Sequence, residues 1–186
     1  MSRLGREFYS QDTVMVARQL LGKMLVRKTG KHVMSGVITE TEAYRQADDP
    51  ASHAHKNITD RNKAMFGQVG HAYVYFTYGM HYCVNVVARS KSYSAGAVLI
   101  RSLKPHEGIE SMIKNRKTYN IANLTNGPAK LTSALNITKR QYGEDLVNSK
   151  SLYITEGVTI DHRIASSPRV GIRQATDKLW NFKIQV

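Results

Sequence analysis

The fold is organised by the run HVMSGVITETEAY, His32–Tyr44. It reads as extended, and so does the shorter MLVR, Met24–Arg27, just before it. Between them, Lys28-Thr29-Gly30-Lys31 has the composition of a hairpin turn. Two strands joined so closely pair antiparallel. Alternate side chains of a strand share a face, so Glu40, Glu42 and Tyr44 point one way and Thr39, Thr41 and Ala43 the other.

Upstream of the hairpin, Gln11–Leu21 carries Val14, Val16, Ala17, Leu20 and Leu21 at helical spacing, with Gly22 as a stop. Downstream, Arg45–Gly70 is polar and reads as loop, with one short helix near Asp60–Met65; loops that long in a compact domain are usually functional or disordered. Ala72–Tyr78 and Tyr82–Ala88 read as two strands across Gly79-Met80-His81, and Ser94–Leu103 as a third. Gly108–Arg116 and Gly127–Leu135 predict helices, and Ser151–Ile154, Val158–Ile164, Arg169–Ile172 and Trp180–Ile184 predict strands. Runs of strands with separate helices imply an α+β fold, a single domain over residues 1–186 whose curved, largely antiparallel sheet is flanked by helices.

The chain has 27 Lys and Arg against 14 Asp and Glu, a net charge of +13. So basic a chain, with pI near 9.9, has the electrostatic footprint of a polyanion binder. The basic residues are spread along the sequence, which predicts a folded surface facing phosphates and not a basic tail. The single cysteine, Cys83, rules out an intrachain disulfide framework and paired-cysteine zinc sites, and fits a reducing cytoplasmic setting. No apolar run is long enough for a membrane helix, and Met1–Tyr9 lacks the apolar core of a signal peptide.

Three groups of residues invite a chemical reading. Glu40, Glu42 and Tyr44 on one strand face suit an acid–base site, although the strand by itself favours a solvated acidic edge. In YVYFTYGMHY, Tyr73–Tyr82, Tyr73 and Tyr75 share a face while Tyr78 stands at the turn. Tyrosines often fill cores, but one at a turn tip of a basic protein suits stacking on bases or wedging between them. His53 and His55 with Glu42 raise a metal reading, although the spacing is not a helical ligand motif and no metal is expected. Asn126-Gly127-Pro128-Ala129-Lys130 reads as a helix start or as backbone N–H groups offered to a phosphate. Phosphate-loop, dinucleotide and serine-hydrolase signatures are missing.

The ordered set Glu40-Thr41-Glu42-Ala43-Tyr44, Tyr73-Val74-Tyr75 with Tyr78-Gly79-Met80, and Asn126-Gly127-Pro128-Ala129-Lys130-Leu131 resembles the alkyladenine (3-methyladenine) DNA glycosylases of mammals and many bacteria. The likeness runs from about Leu4 to Ile184; each motif alone is weak, and their order and spacing are specific. The resemblance implies that Glu42 activates water, that Arg101 and the carbonyl of Val170 help hold that water, and that Glu40 is structural. It implies a base pocket of Tyr44, His53, Tyr75 and Asn85, with Asn85 disfavouring the exocyclic amine of guanine. Tyr78 matches the wedge that replaces a flipped nucleotide, with Met80 and His81 pressing on the duplex from a protruding hairpin.

Taken together, the resemblance implies a monofunctional glycosylase that hydrolyses the N-glycosidic bond of alkylated or deaminated purines in double-stranded DNA: 3-methyladenine, 7-methylguanine, hypoxanthine and ethenoadenine. It implies no cofactor, no Schiff base and a monomer. Arg45–Pro50 and Arg173–Trp180 depart from the better-known members. Two other readings remain open on the residues: a noncatalytic nucleic-acid-binding module, and a nuclease using Glu40, Glu42 and a divalent metal.

Overall fold

The structure, a computed structural model, describes residues 2–157 and 163–185. Helices α1 (Arg6–Tyr9) and α2 (Thr13–Gln19) precede the hairpin of β1 (Met24–Thr29) and β2 (His32–Arg45). Then come β3 (Ala72–Thr77), β4 (His81–Val87), β5 (Gly96–Glu107), α3 (Ile109–Arg116), α4 (Pro128–Ala134), β6 (Leu152–Thr155), β7 (Ile164–Ser167) and β8 (Asn181–Ile184). The strands pair antiparallel in the order β3-β4-β5-β2-β1-β6, and β8 takes the edge of β2 beyond β1 and pairs with β7 on its other side. The sheet curls into a half-barrel that carries the four helices, the α+β architecture expected.

Local chemistry accounts for the elements nearest the site. Asp12 caps α2, accepting from the N–H groups of Val14 at 2.9 Å and Met15 at 3.4 Å, and the helix starts at Thr13 rather than Gln11. Val16 and Ala17 are buried, and the Thr41 hydroxyl donates to the Ala17 carbonyl at 2.7 Å, fixing α2 to β2. The main core gathers Leu20, Leu25, Ile38, Ile100, Leu131 and Phe182 among others, side chains whose burial is each worth about 2 kcal/mol.

Strand β2 has two faces that exchange roles along its length. Met34 and Ile38 lie in the main core, while Val33 and Val37 pack with Met24, Val26 and Tyr153 on the other side. The register with β5 then shifts, with Ile38 opposite Leu103, Glu40 opposite Ser102 and Thr41 opposite Ile100. Thr39 on β2 and Arg101 on β5 are the residues left over. Such bulges re-aim side chains. Beyond them Thr41 and Ala43 face the core, and Glu40, Glu42 and Tyr44 face away from it. β5 changes in step: Val98, Ile100 and Leu103 reach the core while Arg101 turns to the glutamates.

Several expected boundaries are corrected. β5 continues past Leu103 through Pro105 to Glu107; Pro105 sits opposite Gly36 beside another register shift, where the ladder is already interrupted. Arg169–Ile172 is not a strand: the chain turns at Val170-Gly171, with Gly171 at φ +76°. The strand β2 takes in Arg45, and residues 46–70 form a loop with a 3-10 turn at Lys63–Phe66. It is held by Asn62, which donates to the carbonyls of His53 at 2.7 Å and Asn57 at 2.9 Å. The strand expected over Val158–Ile164 falls on residues 158–162, outside the described residues, except at its end, where β7 begins at Ile164.

The α3 start offers a test of this packing. Gly108 has φ +73°, and a Cβ there runs into the Val33 carbonyl. Gly108→Ala is expected to lower the unfolding free energy in urea by about 2 kcal/mol or more, from left-handed strain plus the clash; an unchanged midpoint contradicts the β2–α3 contact.

Candidate active site

The sheet face turned away from the main core forms the wall of a cavity of about 560 Å³. All eight of the residues expected for chemistry, base pocket and wedge line it: Glu42, Tyr44, His53, Tyr75, Tyr78, Asn85, Arg101 and Val170. They come from β2, β3, β4, β5, the β3–β4 turn, the loop after β2 and the turn between β7 and β8, so the half-barrel brings together residues far apart in sequence.

Glu42 has no solvent exposure. One carboxylate oxygen accepts from the backbone N–H of Val170 at 2.7 Å and from the Asn181 amide at 3.1 Å. The other accepts from the Tyr44 hydroxyl at 2.7 Å and lies 3.4 Å from an Arg101 guanidinium nitrogen. Every neighbour is a donor, which matches the acceptor-only chemistry of an ionised carboxylate. Val170 thus contributes its N–H to Glu42, a contact that the expected role of its carbonyl did not include.

Glu40 stands beside this centre and is spent on structure. It accepts from Arg101 Nε at 2.7 Å and from Asn181 at 2.9 Å, and Lys183 lies 3.9 Å away. Burial pushes its carboxyl up, but the hydrogen bonds from Asn181 and Arg101 and the charges of Arg101 and Lys183 outweigh burial and hold it below the usual range. For Arg101 burial works against the charge, and the carboxylates of Glu42 and Glu40 reverse that, so its pKa is raised. Asn181, which bridges both glutamates, escaped the sequence reading; only its pairing opposite Glu42 on β8 places it there.

The walls are aromatic. Tyr73 and Tyr75 lie with ring centroids 5.4 Å apart, and His53 meets Tyr75 edge to face at 4.8 Å. Burial raises the pKa of Tyr44, Tyr73 and Tyr75, and for Tyr44 the Glu42 charge adds to it, so all three remain phenols. Asn85 is buried and donates to the Tyr73 carbonyl at 2.9 Å. Tyr73, placed by alternation on the face of Tyr75 but given no role in the pocket from sequence, has its hydroxyl 2.9 Å from His53 Nδ1.

The β3–β4 hairpin closes through Tyr78 and Gly79, at φ +51° and +66°, with the Met80 N–H donating to the Thr77 carbonyl at 3.3 Å. Tyr78 is 87% exposed at the cavity mouth and Met80 68% exposed. Met80 and His81 do not join the main cavity. They border a separate groove of about 320 Å³ with residues of α3 and α4. Pro128 opens α4 and reaches the cavity wall, while Lys130 is tied to Asn126 at 2.8 Å.

His55 does not line the cavity, and His53 Nδ1 is engaged with Tyr73. Among the described residues no group of three or more His, Cys, Asp or Glu converges to hold a metal ion, and no helix is long and apolar enough to cross a membrane.

Burial, and then the charge of Arg61, lower the His53 pKa below 6.5. The unfolded chain therefore binds a proton at His53 before the native protein does, and the stability this residue contributes is present above about pH 6.5 and lost as pH falls below it. His53→Gln is expected to flatten the fall in urea midpoint between about pH 7 and pH 5; an unaltered slope contradicts a neutral His53 in the pocket wall.

A model of the methylpurine-DNA glycosylase family matches residues 7–186. A protein of Prosthecochloris aestuarii is 50% identical over 182 residues, 97% of this chain and 86% of the relative. Proteins of Clostridium acetobutylicum and Carboxydothermus hydrogenoformans are each 46% identical, covering 98% of this chain and 94% and 95% of their own lengths. All three carry the name "Putative 3-methyladenine DNA glycosylase". With that match over nearly its whole length and the expected residues gathered around one buried carboxylate, the chain belongs to the methylpurine-DNA glycosylase family.

Proposed function

We propose that this protein is a monofunctional DNA glycosylase that removes alkylated or deaminated purines by hydrolysis. The observation that carries the proposal is Glu42, a carboxylate with no solvent exposure, placed in the wall of an aromatic cavity large enough for a purine. A glycosidic bond in a stacked duplex is out of reach, so the nucleotide is extruded at a cost of a few kcal/mol, least for a damaged or mispaired base. Tyr78, exposed at the cavity mouth on a tight turn, fills the vacated space. The net charge of +13 supplies sequence-independent affinity for phosphates. Tyr44 and Tyr75 sandwich the flipped base, and their π faces attract the positive charge of an alkylated purine.

The bond breaks through an oxocarbenium-like transition state. Glu42 takes a proton from the attacking water and its charge stabilises the sugar cation, both at an atom where donors already fix the carboxylate. Cationic bases leave without acid assistance. Among the described residues no lysine lines the cavity, which supports simple hydrolysis over an imine intermediate and strand cleavage. A noncatalytic binding module has no use for a desolvated carboxylate that costs several kcal/mol to bury. A two-carboxylate metal nuclease meets the Arg101 guanidinium lying where a cation would bridge Glu40 and Glu42.

The test is a single-turnover assay in chelator on duplexes bearing one hypoxanthine or one ethenoadenine and on methylated DNA. Wild type is expected to release free base and leave an uncut abasic site, and Glu42→Gln to bind lesion DNA and release nothing. Binding by both proteins without base release by either overturns the catalytic reading in favour of the binding module.

A further inference from the structure

A buried ion pair outside the expected site holds that site in shape. Asp49 and Arg169 have no exposed side-chain surface, and the guanidinium grips the carboxylate with two nitrogens, each 2.6 Å from one oxygen. The pair joins three separate parts of the chain. Asp49 accepts from the N–H of Arg45 at 3.1 Å and of Ala51 at 3.3 Å, fixing the loop that carries His53. Arg169 donates to the Ala43 carbonyl at 2.9 Å, within β2 and between the two strand neighbours Glu42 and Tyr44. Its guanidinium also lies 4.6 Å from the Tyr44 ring and 5.2 Å from the Trp180 ring. The next residue, Val170, is the one whose N–H meets Glu42 at 2.7 Å.

The geometry points to Asp49 and Arg169 as positioning residues for Glu42. We infer that their ion pair fixes the Val170 turn so that its N–H orients the catalytic carboxylate, an inference that rests on the glycosylase reading above. Removing two charges from water costs several kcal/mol per ion, and only close geometry with further hydrogen bonds offsets it. Replacing a buried ion pair by apolar groups of similar volume is often neutral or stabilising. What an apolar pair would not supply is a directional grip on a turn whose next residue is exposed: Val170 is 57% accessible and Gly171 has open space around it, so neither packs the turn in place. The same ion pair ties the His53 loop and the Tyr44 ring to that turn, so base pocket and carboxylate keep one relative arrangement.

The test uses Asp49→Asn and Arg169→Lys in the full chain. Asp49→Asn keeps the shape but not the charge, and Arg169→Lys keeps the charge but loses the two-pronged grip. Three quantities are read: amide exchange at Val170 by NMR, affinity for a lesion duplex, and single-turnover base release across pH. Folded variants are expected to exchange the Val170 amide faster and, with enzyme saturating over the lesion duplex, to release base more slowly, by on the order of a hundredfold. For Arg169→Lys, which leaves the net charge of the pair unchanged, the acid limb of the rate profile moves to higher pH as the Val170 donor loosens, because a backbone donor favours the ionised carboxylate. Val170→Pro, which deletes the N–H itself, is expected to give the same kinetic signature, and Asp49→Asn combined with it to be no slower than the slower single variant.

The inference is overturned if a folded variant exchanges Val170 as slowly as wild type, or if Arg169→Lys slows with its acid limb unmoved, as general loosening would give. Should Asp49→Asn fail to fold, Arg169→Lys is judged by the same readings. The amide exchange needs no activity, so a wild type that releases no base sinks the glycosylase reading and leaves this inference to stand or fall on exchange alone.

Discussion

The arrangement turns on a carboxylate kept out of water. Burying an ionised acid costs several kcal/mol, which only dense hydrogen bonding offsets. Around Glu42 that requirement recruits a backbone N–H from the turn before β8, an amide from β8, a phenol from β2 itself and a guanidinium from β5. Each donor has its own support. Arg101 is held by Glu40, Asn181 spans both glutamates, and Tyr44 stays protonated because burial and the neighbouring anion both oppose its ionisation. The result is an anion with few ways to rearrange, which is what electrostatic stabilisation of a developing cation asks for.

The sheet makes this possible by serving two purposes at once. One face completes a core with α2 and α4, and the other builds the cavity. The coupled bulges at Thr39 and Arg101 exchange the faces of β2 and β5 near their middles. Without them Glu40 and Glu42 would share the face of Ile38 and point into the core. The irregularity is thus a condition for the site, a local loss of pairing that sets the direction of three charged side chains.

Much of this was legible in the sequence. The alternation of Glu40, Glu42 and Tyr44 places them on one face, because the extra residue at the shift between Glu40 and Thr41 is Arg101 on β5 and β2 itself runs regularly from Glu40 onward. The hairpin with Tyr78 at its tip was readable from the glycine that follows. The bulges were not, since Thr39 and Arg101 look like any other strand residues until two strands are in register. Asp49 was invisible for a different reason: one acid in a polar loop carries no mark that it is buried, and its partner Arg169 lies 120 residues away. Arg169–Ile172 read as strand from its apolar residues, while the structure spends Arg169 on an ion pair and turns the chain at Gly171. Long-range polar pairing has no local period and so leaves no pattern to read.

Whether the Glu42 charge is directed at a cation formed on the sugar is measured by binding without turnover. Two duplexes would be compared, one with a neutral tetrahydrofuran ring at the lesion position and one with a protonated pyrrolidine of the same size. An enzyme complementary to its transition state binds the cationic ring more tightly. The wild type is expected to prefer pyrrolidine strongly, and Glu42→Gln to lose that preference while retaining affinity for the neutral ring. Equal binding of the two rings by the wild type, or a preference that survives in Glu42→Gln, would contradict that role for the Glu42 charge.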